Sequence, residues 1–435
     1  MEGVRKVTDA LFVTAAQLAE CTAKNMPDMF QPAKHLVCST PATLAFNSPG
    51  AQGFGVKRAG LAVPGSVMLL VAPRCCGRNT TALGNDAQYA DRFYYLLMDD
   101  NDIVTGRHLN RIPEAVCEIC NDRPEKPSAV MICITCVDAL LGTDMERVCR
   151  KCSEAAGVPV EPCYMYALTR EGRLPPMAAV RKSVYALLEE RPRRADAANI
   201  LGFFSPLMDS CELIPMLNRA GVRQVREIAR CEDFAGYQKM AEANFNLVLN
   251  QEARYAAQDL QKRLQIPFIE LTRRYDVEKV HNQYAMLGSA LGVQLDDAPY
   301  AETALQAVNK CRKEFAGAKI AVGEWLNGDP FELALTLVRY GFQVPEIFGT
   351  AGEANFAYIR HLAAISPDTR IYANTNPSML RYRKNAAQVD AAVGQDAIFY
   401  HPDTPGFRWN GEAQPFGHAG IREFFTHLYE QLQRN

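Results

Sequence analysis

Six cysteines, Cys117, Cys120, Cys133, Cys136, Cys149 and Cys152, form three C-x-x-C pairs, each starting 16 residues after the one before. Thiols at this spacing serve as metal or cluster ligands or as a redox pair; left protonated, they act as small buried apolar residues. The chain carries 14 cysteines in 435 residues. That length argues against a disulfide scaffold, which belongs to small secreted domains. Which chemistry applies depends on the elements that carry each thiol.

Short apolar runs fall at 66–72, 129–134, 199–204, 246–249, 319–323 and 370–373, each followed by a loop and a stretch of helical period. In "DPFELALTLVRYGFQV" (329–344), for example, Asp329 and Pro330 are placed to open a helix. Such alternation predicts an α/β fold with parallel sheets flanked by helices, and ligands outside the carboxyl ends of the strands. The charged stretch 188–200, broken by Pro192, reads as a linker, and a weaker boundary precedes 316–325. Three units follow: 1–195, an N-terminal α/β domain, then 196–315 and 316–435.

These elements separate the cysteines. Cys117 and Cys120 lie in the helical stretch "RIPEAVCEICNDR". Cys149 and Cys152 lie in the helix opened by "GTDMERV", where Thr143 and Glu146 have capping-box spacing. Residues three apart share a helix face, so these four are expected to pack, and a zinc ribbon would need knuckle loops instead. Cys136 falls just beyond the run 129–134, and Cys76, in "VAPRCCGRN", just beyond 66–72. Cys38, in "LVCSTPATLAF", precedes a proline-interrupted turn. Three cysteines on three loops can converge on one cluster.

At these residues the chain resembles the nitrogenase component 1 family, which includes the molybdenum–iron protein, its cofactor-assembly homologues and dark-operative tetrapyrrole reductases. "CVDALLGTD" is similar to the family's third ligand motif in Cys136, Leu140, Gly142 and Asp144. "APRCCG" is similar to the second, with Pro73 and Cys76 in register, and Cys38 matches the first. Cys75 stands where the family has a glycine, and so is the alternative to Cys76. "NDIVTGR", with Asp102 and Gly106, "FNLVLNQEARYAAQDLQKRLQIPFIEL" and "GHAGIREFF" continue the likeness in order. The resemblance implies three Rossmann-like domains and a homodimer. It implies an iron–sulfur cluster at the subunit interface, bound by Cys38, Cys76 and Cys136. Two subunits would offer six thiolates to an eight-iron P-cluster-like centre (8Fe–7S), or some of them to a 4Fe–4S cluster.

The molybdenum–iron cofactor site fares differently. Where the family's cofactor cysteine would fall, "NLVLNQEARY" has Asn250; where its histidine would fall, "PFGHAG" has Phe416, with His418 off register. Dinitrogen reduction is therefore not expected. The loops "GEWLNGDP" (323–330) and "ANTNPSMLRYR" (373–383), with Arg381 and Arg383 as candidate anion contacts, are expected to line a substrate cavity, although an exposed helix face is the favoured reading of the arginines. The chain shows neither a Walker-type phosphate loop nor a dinucleotide fingerprint. ATP-driven electron flow would thus require a separate P-loop iron–sulfur reductase protein. The first reading is an iron–sulfur reductase component, an oxidoreductase fed one electron at a time by that partner. The alternative is a scaffold for assembly of an iron–sulfur cluster or metallocofactor. A net charge of −2 advertises neither nucleic acid nor an anionic membrane. Without a membrane-length apolar run or a signal-peptide core, a cytoplasmic location is expected.

Overall fold

The computed structural model describes residues 9–22, 24–30, 55–73, 89–164 and 174–434. Cys38, Cys75 and Cys76 lie outside them. The described chain forms two compact units, one drawn from 50–206 and 217–272, the other from 1–49, 207–216 and 273–435. The short strand β1 (Val13–Thr14) belongs to the latter.

The first unit contains two four-stranded parallel sheets. One has the order β3-β2-β4-β5, built from β2 (Val67–Pro73), β3 (Phe93–Met98), β4 (Val130–Ile134) and β5 (Val160–Tyr164). β2 and β4 are unbroken apolar runs because both faces are covered, as parallel sheets require. Their alternate residues feed two different cores. Met68, Leu70, Met131 and Cys133 enter one, and Val67, Leu69, Val130 and Ile132 the other. The second sheet, β7-β6-β8-β9, comprises β6 (Arg194–Leu201), β7 (Gln224–Glu227), β8 (Ala243–Val248) and β9 (Phe268–Glu270).

The other unit holds a six-stranded sheet, β1-β12-β11-β10-β13-β14. Its parallel strands are β10 (Ile320–Gly323), β11 (Glu346–Phe348), β12 (Arg370–Tyr372), β13 (Ala391–Val393) and β14 (Gly406–Phe407). β1 alone runs antiparallel, along β12. In each sheet the strand order reverses once, between β2 and β4, β6 and β8, and β10 and β13. Those reversals open crevices at the carboxyl ends of the strands.

The six apolar runs all become strands, and the helix Pro330–Arg339 opens as expected, with Asp329 Oδ1 accepting the amides of Phe331 (2.9 Å) and Glu332 (3.0 Å). Two local expectations are corrected. The run at 199–204 is strand from Arg194 to Leu201, so half of the supposed linker 188–200 pairs in the sheet, with Ala197 opposite Gln224 of β7 and Ala198 opposite Phe245 of β8. The helix Met145–Ala156 is capped by Asp144, whose Oδ1 accepts the Arg147 amide at 2.9 Å, and not by Thr143. Thr143 instead donates its hydroxyl to Asp138 Oδ1 at 3.1 Å.

Candidate functional site

Cys136 is the first residue of the helix Cys136–Leu141, two positions beyond the end of β4. β2, the neighbouring strand across the reversal, ends at Pro73, three positions before Cys76 in sequence. The helix bearing Cys136 is tied down from beneath. Its Asp138 binds Nε2 of the buried His108 at 3.0 Å, while His108 Nδ1 meets the Asp102 carbonyl at 3.0 Å. Both ring nitrogens of His108 therefore face oxygen. Asp102 in turn accepts from Arg107 Nε and Arg111 NH1, both at 2.7 Å, and the Arg107 hydrogen bond holds its carboxyl below the usual range. Asp102 lies in the helix Asp100–Thr105, which Gly106 ends with φ of 68°, a conformation costly for a side-chain-bearing residue. The "NDIVTGR" stretch is thus the mount for His108, which sequence reading missed. Among the described residues, the Thr135 hydroxyl and Asp138 Oδ2, flanking Cys136, are buried without a hydrogen-bond partner.

The helix-borne cysteines belong to the core. Cys120, Cys149 and Cys152 are buried between the helices His108–Asp122 and Met145–Ala156 and the sheet, and the half-buried Cys117 packs against them. Burial pushes the Cys152 thiol up to about 11 and the Cys149 thiol higher still, so both stay protonated at neutral pH. Among the described residues no three His, Cys, Asp or Glu side chains are placed to hold a metal ion.

The reversal between β6 and β8 is closed by its own residues. Gly202, at φ of 130°, lies so close to Asn250 that a Cβ there would fall 2.7 Å from the Asn250 nitrogen. Asn250 Oδ1 accepts the Glu252 amide at 3.0 Å, a capping role. Arg181, 5% exposed, fills the space beside them. It donates to the Gly202 carbonyl (2.9 Å), pairs with Glu252 (2.8 Å) and stacks on Phe204.

The reversal between β10 and β13 is different. The loops following β10, β11 and β12 and the helix Gln395–Tyr400 after β13 bring Glu324, Thr350, Asn374 and Asp396 together. Asn374 Nδ2 donates to both carboxylates, to Glu324 Oε1 at 2.9 Å and to Asp396 Oδ2 at 2.7 Å. Thr350 gives its amide to Glu324 Oε2 at 2.7 Å, and the amides of Glu324 and Trp325 go to Asp396 at 3.0 and 3.2 Å. Burial and the neighbouring Glu324 charge push Asp396 up to about 7, and burial raises Glu324. Gly323 permits this approach: a Cβ there would sit 1.9 Å from Asp396 Oδ1. Two of the four residues come from the loops expected to line a cavity, 323–330 and 373–383; Asp396 was not foreseen. Arg381 and Arg383, from the same expectation, are exposed.

At the final helix, Gly417–Leu432, the protein supplies its own anion. The buried Glu212 accepts the His418 amide (2.6 Å), the Ala419 amide (3.0 Å) and the Tyr284 hydroxyl (2.8 Å). His418 is fully buried with Nε2 on Asp297 Oδ2 at 2.8 Å, and Asp297 also takes His281 Nδ1 at 2.9 Å. Phe416 is buried too.

The profile of the family described as "Nitrogenase component 1 type Oxidoreductase" matches residues 51–432. The chain belongs to this family. Among curated proteins it is similar to the "Nitrogenase iron-molybdenum cofactor biosynthesis protein NifE" of Rhizobium meliloti (strain 1021), 28% identical over 43% of this chain and 40% of that one. The protein of the same description from Klebsiella pneumoniae is 27% identical over 52% of this chain and 50% of the other. The chain thus spans about half the length of the curated relatives it matches. Among solved structures, "Nitrogenase Cp1 at pH 6.5" superposes with a TM-score of 0.65 at 15% identity, covering 95% of this chain and 96% of that one. That likeness shows a shared fold.

Proposed function

We propose that this chain is an assembly scaffold, one that holds a maturing iron–sulfur cluster or metallocofactor and passes it on. The observation that carries this reading is that the curated relatives described above are named as cofactor biosynthesis proteins. The residues at the nitrogenase cofactor positions agree with it. Asn250 Oδ1 is spent on a cap, Phe416 has no ligand atom, and His418 binds Asp297 through Nε2. A chain without these ligands is suited to holding cargo temporarily, and this favours the scaffold over the reductase component. Within the proposal, the cluster sits at a homodimer interface with Cys38, Cys76 (or Cys75) and Cys136 as ligands. Thiolate ligation would supply a one-electron centre there. The His108–Asp138 contact would keep the helix bearing Cys136 in place, as outer partners orient ligand-bearing elements. An ATP-dependent P-loop iron–sulfur protein is the proposed electron donor, the cytoplasm the proposed location, and 1–195, 196–315 and 316–435 the proposed domains.

Protein isolated without oxygen should be brown and contain iron and sulfide. Cys136→Ala should lose most of the iron, while Cys149→Ala should keep it. On incubation with a metal-free acceptor protein of the same family, iron should leave the wild-type chain in step with its appearance on the acceptor. Iron retained through many turnovers of a reducible substrate, with ATP and the P-loop partner, would establish the reductase instead.

A further inference from the structure

Glu346 opens β11 and is fully buried. A carboxylate taken out of water must be hydrogen-bonded, and three side chains of the same unit converge on this one. Tyr372, the last residue of β12, gives its hydroxyl to Oε1 at 3.2 Å. Tyr382, just past the turn Pro377–Arg381, gives its own to Oε2 at 2.7 Å. His401, just past the helix Gln395–Tyr400, meets Oε2 through Nε2 at 3.0 Å and lies 3.4 Å from the Tyr382 hydroxyl. Among the described residues, the buried His401 Nδ1 has no hydrogen-bond partner. When Nε2 carries the hydrogen that faces Glu346, this nitrogen is a vacant base. An unpaired buried nitrogen costs free energy that a phenylalanine in its place would not.

A second observation comes from the rings. The Tyr382 centroid lies 5.2 Å from that of Tyr372 and 4.8 Å from that of Tyr400. Tyr372 in turn lies 5.6 Å from Phe12, whose ring is 43% exposed. Burial, with the Glu346 charge behind it, raises both hydrogen-bonded phenols, so neither loses its proton to pH alone. An electron can leave a buried ring across several ångströms of protein, whereas a proton moves only along a hydrogen bond. One-electron oxidation makes a phenol strongly acidic. A buried tyrosine therefore yields an electron readily only where a base already holds its hydroxyl hydrogen, and Glu346 is such a base for two of them.

We propose that Tyr382 is a redox-active tyrosine, which surrenders one electron to a strong one-electron oxidant, of the kind peroxide generates on reduced iron, while its phenol proton passes to Glu346. The O–H bond breaks, Glu346 becomes a neutral carboxylic acid, the oxidant is reduced by one electron, and a neutral tyrosyl radical remains. A thiol or similar one-electron donor later returns the electron, and Glu346 returns the proton. Tyr372, on the other carboxylate oxygen and in ring contact with Tyr382, shares the radical and carries it toward the surface. The role is independent of the scaffold reading, since its residues include none of the cluster cysteines.

The full chain is mixed with tris(bipyridine)ruthenium and persulfate, flashed with visible light, and frozen at intervals for electron paramagnetic resonance. The folded wild type should give a tyrosyl signal that outlasts that of the urea-unfolded chain. Tyr382→Phe, which removes only the hydroxyl, and Glu346→Gln, which keeps the shape but is no base, should each abolish the long-lived signal. Tyr255→Phe, on an exposed ring, should leave it unchanged. Quenching the wild-type radical with nitric oxide and mapping the modified peptides locates it without any substitution, which guards against variants that fail to fold. Modification at Tyr382 or Tyr372 is expected. A wild-type signal no longer-lived than that of the unfolded chain, a long-lived signal that survives either substitution, or modification confined to other tyrosines would overturn the proposal and leave the cluster a packed core.

Discussion

Buried charge at single residues decides much of this molecule's chemistry, and Glu332 shows how. It is fully buried at the start of the helix Pro330–Arg339, faced by Lys279 Nζ at 3.9 Å, Arg274, Asp329, the Tyr275 amide at 3.1 Å and the Thr336 hydroxyl at 3.4 Å. Burial outweighs the two cations and pushes its carboxyl up to about 7. The folded state therefore binds this proton more tightly than the unfolded chain, whose glutamates titrate near ~4.3. The resulting stability is fully present below that value and is lost as pH rises toward about 7. Glu332→Gln should flatten the decline, removing up to roughly 3 kcal/mol of pH-dependent stability. Urea midpoints at pH 5 and pH 7.5 check this: the wild type should drop between them more than the variant, and parallel curves would refute it.

At the scale of elements, the loops and caps do more than the strands. The final helix starts on a glycine because nothing else fits. Gly417 has φ of 63°, and a Cβ would lie 2.1 Å from Glu212 Oε1 and 2.2 Å from the Tyr284 hydroxyl. A carboxylate at a helix N-terminus satisfies otherwise orphaned amides and meets the positive end of the helix dipole. Gly417→Ala should thus displace Glu212 and cost roughly 2–4 kcal/mol, read as a lower urea midpoint. Gly411→Ala, at a position with nothing within 4 Å, should cost little and serves as the control. The same logic separates the cysteines. Cys149 and Cys152 face the core and are held protonated, whereas Cys136 opens its helix two positions after a strand.

At the scale of the whole molecule, the proposed cluster needs thiolates from two chains, since three per chain make half of a six-thiolate set. The anaerobic protein should accordingly sediment near twice the chain's 48.3 kDa, and chelating its iron should shift the population toward monomer. A mass of one chain with the iron still bound would exclude an interface cluster. Membership in the family and the shared fold would stand in either case, because they rest on the match over 51–432 and the superposition.

The sequence by itself determined the α/β class, the runs that become central strands, the family and the packing of the helix-borne cysteines. These follow from local period and residue type: β2 is apolar throughout because both its faces are covered, and "DP" opens a helix because an aspartate caps and a proline needs no amide donor. Edge strands such as β7, "QVRE", escaped notice because one-sided burial leaves a polar pattern. What only the tertiary structure decided is which loops meet. Asp396 reaches the backbone of Glu324 across 72 residues, Glu212 caps a helix 206 residues away, and His418 is drawn to Asp297 across 121. Such meetings depend on strand order, and the reversal between β10 and β13 is set by how helices pack over the sheet. No spacing in the chain carries that information, so the carboxylate pair becomes visible only once the strands lie side by side.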